Sequence, residues 1–225
     1  MKKVLITGTS SGIGRATAIK FIEQGYDVIG IDIKPCSIFI EGSYKHYIAD
    51  VSDATALPTL QNINIIINNA GTIEEDKSLA VNLEGYINII EKYAFQPAIQ
   101  DVIIISSISG HVGLDTPKYA ASQGGRLAYM KNVAIRLGQQ YKARVNSISP
   151  GAVLSGLEPY LYEKTNLVEA VANENLLKKW MQPEEVAEWC YFLATVNKSM
   201  TGQDILIDNG EVANFNFINA RCINE

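Results

Sequence analysis

The chain has 225 residues, with 19 Lys plus Arg against 24 Asp plus Glu and a formal net charge of −5. A composition of 47% hydrophobic and 19% charged residues excludes a largely disordered chain and suits one α/β domain with a large core. No long basic run suggests a nucleic-acid or anionic-membrane surface, and no apolar run approaches the roughly 20 residues of a membrane helix. Cys36, Cys190 and Cys222 are too far apart for a disulfide framework or a zinc spacing, and fit a reducing, cytoplasmic setting. The opening MKKVLITG is basic, but its apolar stretch stops at Thr7-Gly8, short of a signal-peptide core.

In chain order, Val4 to Ile6 predicts a first strand, followed by a glycine turn, a helix with a stop at Gly25, and a second strand over Val28 to Ile31 ending at Asp32. A third strand is expected over Tyr47 to Ala49, ending at Asp50, and a fourth over Ile63 to Ile67, ending at Asn68-Asn69-Ala70-Gly71. Asp101 to Ile105 and Arg144 to Ile148 predict the fifth and sixth, ending at Ser106-Ser107 and Pro150-Gly151, and Ile205 to Ile207 a seventh. Helical periodicity covers about Val81 to Tyr93, Lys118 to Gln140 and Glu184 to Thr195. Near-continuous Ile/Val strands mean a sheet covered on both faces. The expectation is a single doubly wound, Rossmann-like α/β domain over residues 1–225 with a parallel sheet of about seven strands. The segment Leu154 to Leu177, with Leu157, Tyr160, Leu161 and Tyr162, is a lid candidate.

Ligands of such sheets bind beyond the carboxyl ends of the strands, where small, polar or acidic residues recur here. In TGTSSGIG (Thr7 to Gly14), Gly8 makes the tight turn, Gly12 admits a pyrophosphate, and Gly14 allows close helix–sheet packing. Ser10, Ser11 and Ile13 share that phosphate-binding turn at a helix N-terminus. Asp32, 18 positions after Gly14, can accept hydrogen bonds from both adenosine ribose hydroxyls and repels a 2′-phosphate, which favours NAD over NADP; the competing reading is a turn-starting Asp.

With these residues in order, the sequence resembles the compact single-domain short-chain dehydrogenases/reductases along almost its whole length. TGTSSGIG matches the family's TGxxxGxG turn, Asp50-Val51 the pair that holds the adenine, and Asn68-Asn69-Ala70-Gly71 the NNAG motif that lines the adenosine. Asn82 in VNLEG matches the active-site Asn, SSISG (Ser106 to Gly110) contains the catalytic Ser, and YAASQ (Tyr119 to Gln123) occupies the catalytic Tyr-x-x-x-Lys site. SPGAV, with Pro150, Gly151 and Val153, resembles the segment flanking the nicotinamide, and Ser155 follows it. PEEVA from Pro183 and TGQDILIDNG from Thr201 resemble the last helix and strand. Aligning the glycine of SSxxG makes Ser107 the catalytic Ser; counting the family's spacing back from Tyr119 gives Ser106. Ser107 is preferred, with the other Ser packing away from the site.

The resemblance implies hydride transfer between nicotinamide and a substrate carbonyl carbon. Tyr119 exchanges the proton, Ser107 bonds the substrate oxygen, and Asn82 holds a relay water. The family's Lys is replaced by Gln123, on the same helix face as Tyr119. Gln123 keeps the hydrogen bond to the nicotinamide ribose but brings no charge to lower the tyrosine pKa. Holding a tyrosine near 7 instead of about 10 takes roughly 4 kcal/mol. The oxidised nicotinamide, and Arg126 on roughly the same face, are the candidate sources of that field.

Only eleven positions separate Gly71 from Asn82, where the family has about twice that, so a helix after the fourth strand is expected to be missing; the stretch from Asp50 to Asn68 is short too. Residues 211–225 form a C-terminal tail, with Asn214, Phe215, Asn216 and Phe217 candidates for packing on a neighbouring subunit. No metal spacing involves His46 or His111, and Trp180 and Trp189 are expected to pack. The reading is an NAD(H)-dependent oxidoreductase interconverting a secondary alcohol and a ketone, a homodimer or homotetramer with a small-molecule carbonyl or alcohol substrate. The alternative is an NAD-binding relative with weak or no catalysis, acting as a sensor or assembly subunit. A nucleotide-sugar epimerase is more distant, because the length leaves no separate sugar-binding domain.

Overall fold

The computed structural model describes residues 1–38, 42–155 and 165–214. Seven parallel strands form one sheet in the order β3-β2-β1-β4-β5-β6-β7: β1 (Lys3–Thr7), β2 (Asp27–Asp32), β3 (Tyr44–Ile48), β4 (Ile65–Asn68), β5 (Asp101–Ile105), β6 (Arg144–Pro150) and β7 (Asp204–Ile207). β1 pairs with both β2 and β4, so the strand order reverses there, the place where such sheets open a ligand crevice.

Side chains alternate between two cores. On one face Leu5, Ile31, Ile66, Val102, Ile104 and Val145 pack under α3 (Gly85–Tyr93) and α5 (Pro117–Tyr141). On the other, Val4, Ile6, Ile65, Ile67, Ile103 and Ile148 pack under α1 (Gly12–Glu23) and α7 (Pro183–Thr195). Local chemistry sets the helix ends: Thr116 and Pro117 start α5 and Lys142 closes it at φ 59°, while α7 begins with Pro183 and a capping box in which the Gln182 N–H donates to Glu185 at 2.8 Å.

The third strand lies earlier than the sequence suggested, at Tyr44–Ile48, with Ala49 after it. As an edge strand paired only with β2, it is half exposed and lacks the apolar run that marks the others. The fourth begins at Ile65 rather than Ile63. No helix occurs among the described residues of the β2–β3 and β3–β4 connections, in line with the short Asp50–Asn68 stretch. After β4 the expected loss of a helix is a shortening: a one-turn α2 (Glu75–Ser78) remains and runs through a π-helical segment, Leu79–Glu84, directly into α3. α4 (Ser109–Val112) follows β5, and α6 (Thr165–Glu174) falls inside the lid candidate; Leu157, Tyr160, Leu161 and Tyr162 lie outside the described residues, as do Phe215, Asn216, Phe217 and Cys222. No described helix is long and apolar enough to cross a membrane. Trp189 departs from expectation: it is 42% exposed and meets Phe192, itself on the surface, because its position on α7 turns outward.

Candidate active site

A cleft of about 920 Å³ opens over the carboxyl ends of the strands. At one end is the glycine turn. Gly8 takes φ 75° and donates its N–H to the Ile31 carbonyl at 2.8 Å. A Cβ on Gly14 would lie 2.1 Å from the Gly8 carbonyl oxygen, and one on Gly12 2.4 Å from that of Ser155; both approaches require glycine. Ser11 occupies the N-cap without a side-chain cap bond, which leaves the first N–H groups of α1 for an anion.

Thr7, to which the sequence assigned no role beyond opening the motif, ties this turn to NNAG. Its Oγ1 accepts from the N–H groups of Asn69 and Ala70, both at 2.9 Å, and its carbonyl accepts from Asn69 Nδ2 at 2.9 Å. Asn68 is buried and donates to the Tyr86 carbonyl at 3.0 Å, so it supports the sheet. Asp32 accepts from the Ser10 N–H at 2.9 Å through Oδ2 and from the Lys34 N–H at 2.8 Å through Oδ1. Its turn-stabilising role is therefore present in the same carboxylate that borders the cleft. Asp50 accepts from the Ser52 N–H and hydroxyl. Val51 packs so close to α3 that a Cβ on Gly85 would stand 2.6 Å from it.

At the other end, Ser106, Ser107, Tyr119, Gln123, Pro150, Gly151, Val153 and Ser155 line the same cleft. Of the expected cofactor residues, Gly8, Ser11, Gly12, Ile13, Asp32, Asp50, Val51, Asn69, Ala70 and Gly71 also line it. The Ser10 N–H donates to Asp32, and Asn82 borders the cleft while its side chain holds Thr72. The Asn82 amide accepts from the Thr72 N–H and donates to the Thr72 carbonyl, both at 2.8 Å. It sits in the π-helical segment, a distortion frequent at functional sites. The two serines differ: Ser106 is buried and donates to the Gln123 carbonyl at 3.1 Å, whereas Ser107 is half-buried and hydrogen-bonds Ser109, whose hydroxyl bonds Asp115 at 2.5 Å.

Arg126 is buried on the same side of α5. It donates to the Asn82 carbonyl at 2.5 Å, the Ile105 carbonyl at 2.8 Å and Gln123 Oε1 at 2.8 Å, and stacks on the Tyr86 ring at 3.6 Å. Burial pulls its pKa below the ordinary arginine value, while Tyr86 and Tyr119 act to hold it up. Burial pushes the Tyr86 phenol well above the usual range. Glu211, which the sequence did not single out, lines the cleft with one carboxylate oxygen buried and unbonded; burial, with Asp208 and Asp115 nearby, raises its pKa. Trp180 also lines the cleft and donates to the Val168 carbonyl at 2.9 Å. His111 faces Asp204 at 2.7 Å and His46 bonds Tyr44. Among the described residues no group of His, Cys, Asp and Glu is arranged to hold a metal.

Residues 8–211 match the family model described as enoyl-(acyl carrier protein) reductase. The chain belongs to the short-chain dehydrogenase/reductase family. This family's members are oxidoreductases that act with NAD(P) on alcohol or carbonyl groups. A 3-oxoacyl-(acyl-carrier-protein) reductase of Thermotoga maritima is 30% identical over 94% of this chain and 98% of its own. Tropinone reductase-like 1 of Erythroxylum coca is 29% identical over 93% of this chain and 89% of its own. The solved structure of a 4-hydroxyisoleucine dehydrogenase complexed with NADH superposes with a TM-score of 0.87 at 26% identity, covering 96% of this chain and all of that one.

Proposed function

We propose that this short-chain dehydrogenase/reductase is an NAD(H)-dependent oxidoreductase that interconverts a secondary alcohol and a ketone on a small molecule. The observation that carries the reading is one cleft with a glycine turn and free helix N–H groups at one end and Tyr119, Ser107 and Gln123 at the other. The residues fit a dinucleotide: at Gly12 a side chain would fill the approach to Ser155, and a cleft of about 920 Å³ is in the range of cofactor sites. NAD is preferred because Asp32 borders the cleft and opposes a 2′-phosphate.

When bound, the nicotinamide supplies the hydride donor or acceptor. Tyr119 gives its hydroxyl proton to the substrate oxygen in reduction and takes it back in oxidation. Ser107 donates to the same oxygen and orients it, and the Ser109–Asp115 pair behind it holds the Ser107 rotamer. Asn82 fixes the Thr72 loop through its side chain, and its carbonyl is bonded by Arg126, so a relay water there shares that oxygen. The setting is cytoplasmic, as the cysteine usage suggests. Assembly is through α5, where Ala121, Ala128 and Ile135 recur every seven residues on an exposed stripe.

A panel of secondary alcohols, sugars and 3-oxoacyl thioesters with each cofactor tests the reading; turnover with NAD(H) supports it, and absence of turnover across the panel removes it. A second reading is favoured by Gln123, which brings no charge to the tyrosine: a cofactor-binding protein with little chemistry, acting as a sensor or assembly subunit. Gln123→Lys separates the two. A large gain in rate at unchanged cofactor affinity marks an attenuated enzyme, and no rate in either form marks a binding protein.

A further inference from the structure

The inward stripe of α5 runs Tyr119, Gln123, Arg126, Met130, Val133 and Leu137, at alternating steps of four and three. From Gln123 onward these side chains are buried, and the pattern calls for an apolar residue at the third position. Arg126 stands there instead, 3% exposed. Its partners are neutral: two backbone carbonyls, the Gln123 amide oxygen and the face of Tyr86. Its Nη2 is buried with no hydrogen-bond partner and lies 3.5 Å from where a Cβ on Gly71 would be, at the cleft wall.

We propose that Arg126 is the positive charge of this active site, a positioning residue that sets the Gln123 amide and stabilises the Tyr119 phenolate. The inference rests on the proton-exchange role read for Tyr119 above. Two physical arguments support it. Arg carries donors and no acceptor, so the Gln123 atom facing Nη1 is the oxygen, and the amide nitrogen is turned to the other side, free to donate to a ribose hydroxyl or the phenol. Side chains on a helix lean toward its N-terminus, so Arg126 reaches back along α5 toward Gln123 and Tyr119. The attraction is mutual: a phenolate at Tyr119 holds up the guanidinium's pKa, and the guanidinium in turn favours the phenolate. In a dry site that attraction is stronger than in water. The charge absent from position 123 is thus supplied one turn further along.

Other groups act on the same phenol. Tyr86, on α3, meets Arg126 with its ring face, donates to the same Ile105 carbonyl and stays neutral. Glu74, Asp115 and Glu211 line the cleft from three loops and oppose ionisation, and Lys77 assists it from α2, although it pairs with Glu74 at 2.7 Å. Lys118 is drawn off to Asp76. Arg126 is the buried charge among them.

The test reads Tyr119 without turnover. Phenolate absorbance is followed against pH in the protein and in Tyr119→Phe, with and without NAD, and the difference isolates this one tyrosine. Tyr119 is expected to titrate at least about one unit below the ordinary tyrosine value of about 10. In Arg126→Met its midpoint should rise by about one unit or more, and Arg126→Lys should fall between. Moving the charge back, in Gln123→Lys/Arg126→Met, should restore the low midpoint. If Arg126→Met does not fold, Arg126→Lys and Arg126→Gln decide, each with its own expected rise in the Tyr119 midpoint. A Tyr119 midpoint at or above the ordinary value in the unaltered protein overturns the proposal, and so does a midpoint indifferent to Arg126 in folded variants. Thermal unfolding alongside separates lost packing from lost charge. If Tyr119 follows Arg126 while no substrate turns over, the function reading fails and this one stands.

Discussion

Asp32 Oδ2 accepts the Ser10 N–H at 2.9 Å while Oδ1 accepts the Lys34 N–H at 2.8 Å, so one carboxylate joins the glycine turn to the end of β2. The same group is proposed to select the cofactor. Asp32→Ala should weaken NAD(H) binding by roughly tenfold, about 1.4 kcal/mol, and narrow or reverse the preference over NADP(H). It should also lower the melting temperature, because two N–H groups lose their acceptor. Calorimetric titration with both cofactors checks it; equal or tighter NADP(H) binding by the unaltered protein contradicts the assignment.

Gly14→Ala tests the cofactor turn. Its Cβ would lie 2.1 Å from the Gly8 carbonyl oxygen and 2.5 Å from Asn69 Nδ2, neither able to withdraw without dismantling the Thr7 network. Loss of cofactor affinity by about a hundredfold or more is expected, about 2.7 kcal/mol, together with a lowered unfolding midpoint. Gly113→Ala is the control: its Cβ meets nothing within 4 Å, so only strain from its φ of 72° is added, and cofactor affinity should hold.

Asp101, at the opposite end of the sheet, is 1% exposed and pairs with Arg144 at 2.7 Å. Burial outweighs that partner and pushes its carboxyl up to about 6. The folded carboxyl binds its proton more tightly than the unfolded one at about 3.9, so this group's contribution to stability falls as pH rises between those values and is fully lost above about 6. Asp101→Asn does not titrate. Its stability relative to the unaltered protein should therefore improve by about 2 kcal/mol from pH ~4 to pH ~6.5. Urea unfolding at a series of pH values measures this, and a pH-independent difference refutes it.

Assembly through α5 predicts a species at twice or four times the chain mass of 24.7 kDa by light scattering. Gly125 and Gly124 face Leu83 and Gly110 of their own chain, so the small residues open to a partner are those of the exposed stripe with Ala121, Ala128 and Ile135. Ala128→Glu should give a folded monomer. A monomer in the unaltered protein removes the proposal, and an oligomer indifferent to Ala128→Glu moves the interface elsewhere.

The sheet was legible because buried parallel strands carry nearly continuous Ile/Val runs: Asp101–Ile105 is found at its expected bounds. The edge strand was placed late because Tyr44, Lys45 and His46 carry no such run, and Ile48 faces solvent. Glycine spacing pointed to the turn, whereas the Thr7 hydroxyl that anchors it is one threonine among many until the fold brings NNAG beside it. The same holds for Glu211, which reaches the cleft from beyond β7. Arg126 left a readable sign, a charge at an inward position of a long helix, but its partners on the π-helical segment and β5 are distant in sequence.

Tyr119 is proposed to exchange the proton in hydride transfer with NAD(H). The most direct test of this role is the turnover rate of Tyr119→Phe, on any substrate the unaltered protein accepts and at saturating NAD(H), with cofactor affinity measured in parallel. A fall of about a hundredfold or more is expected, with the dissociation constant for NAD(H) unchanged within about twofold, a difference of about 0.4 kcal/mol. Turnover that survives the substitution contradicts it.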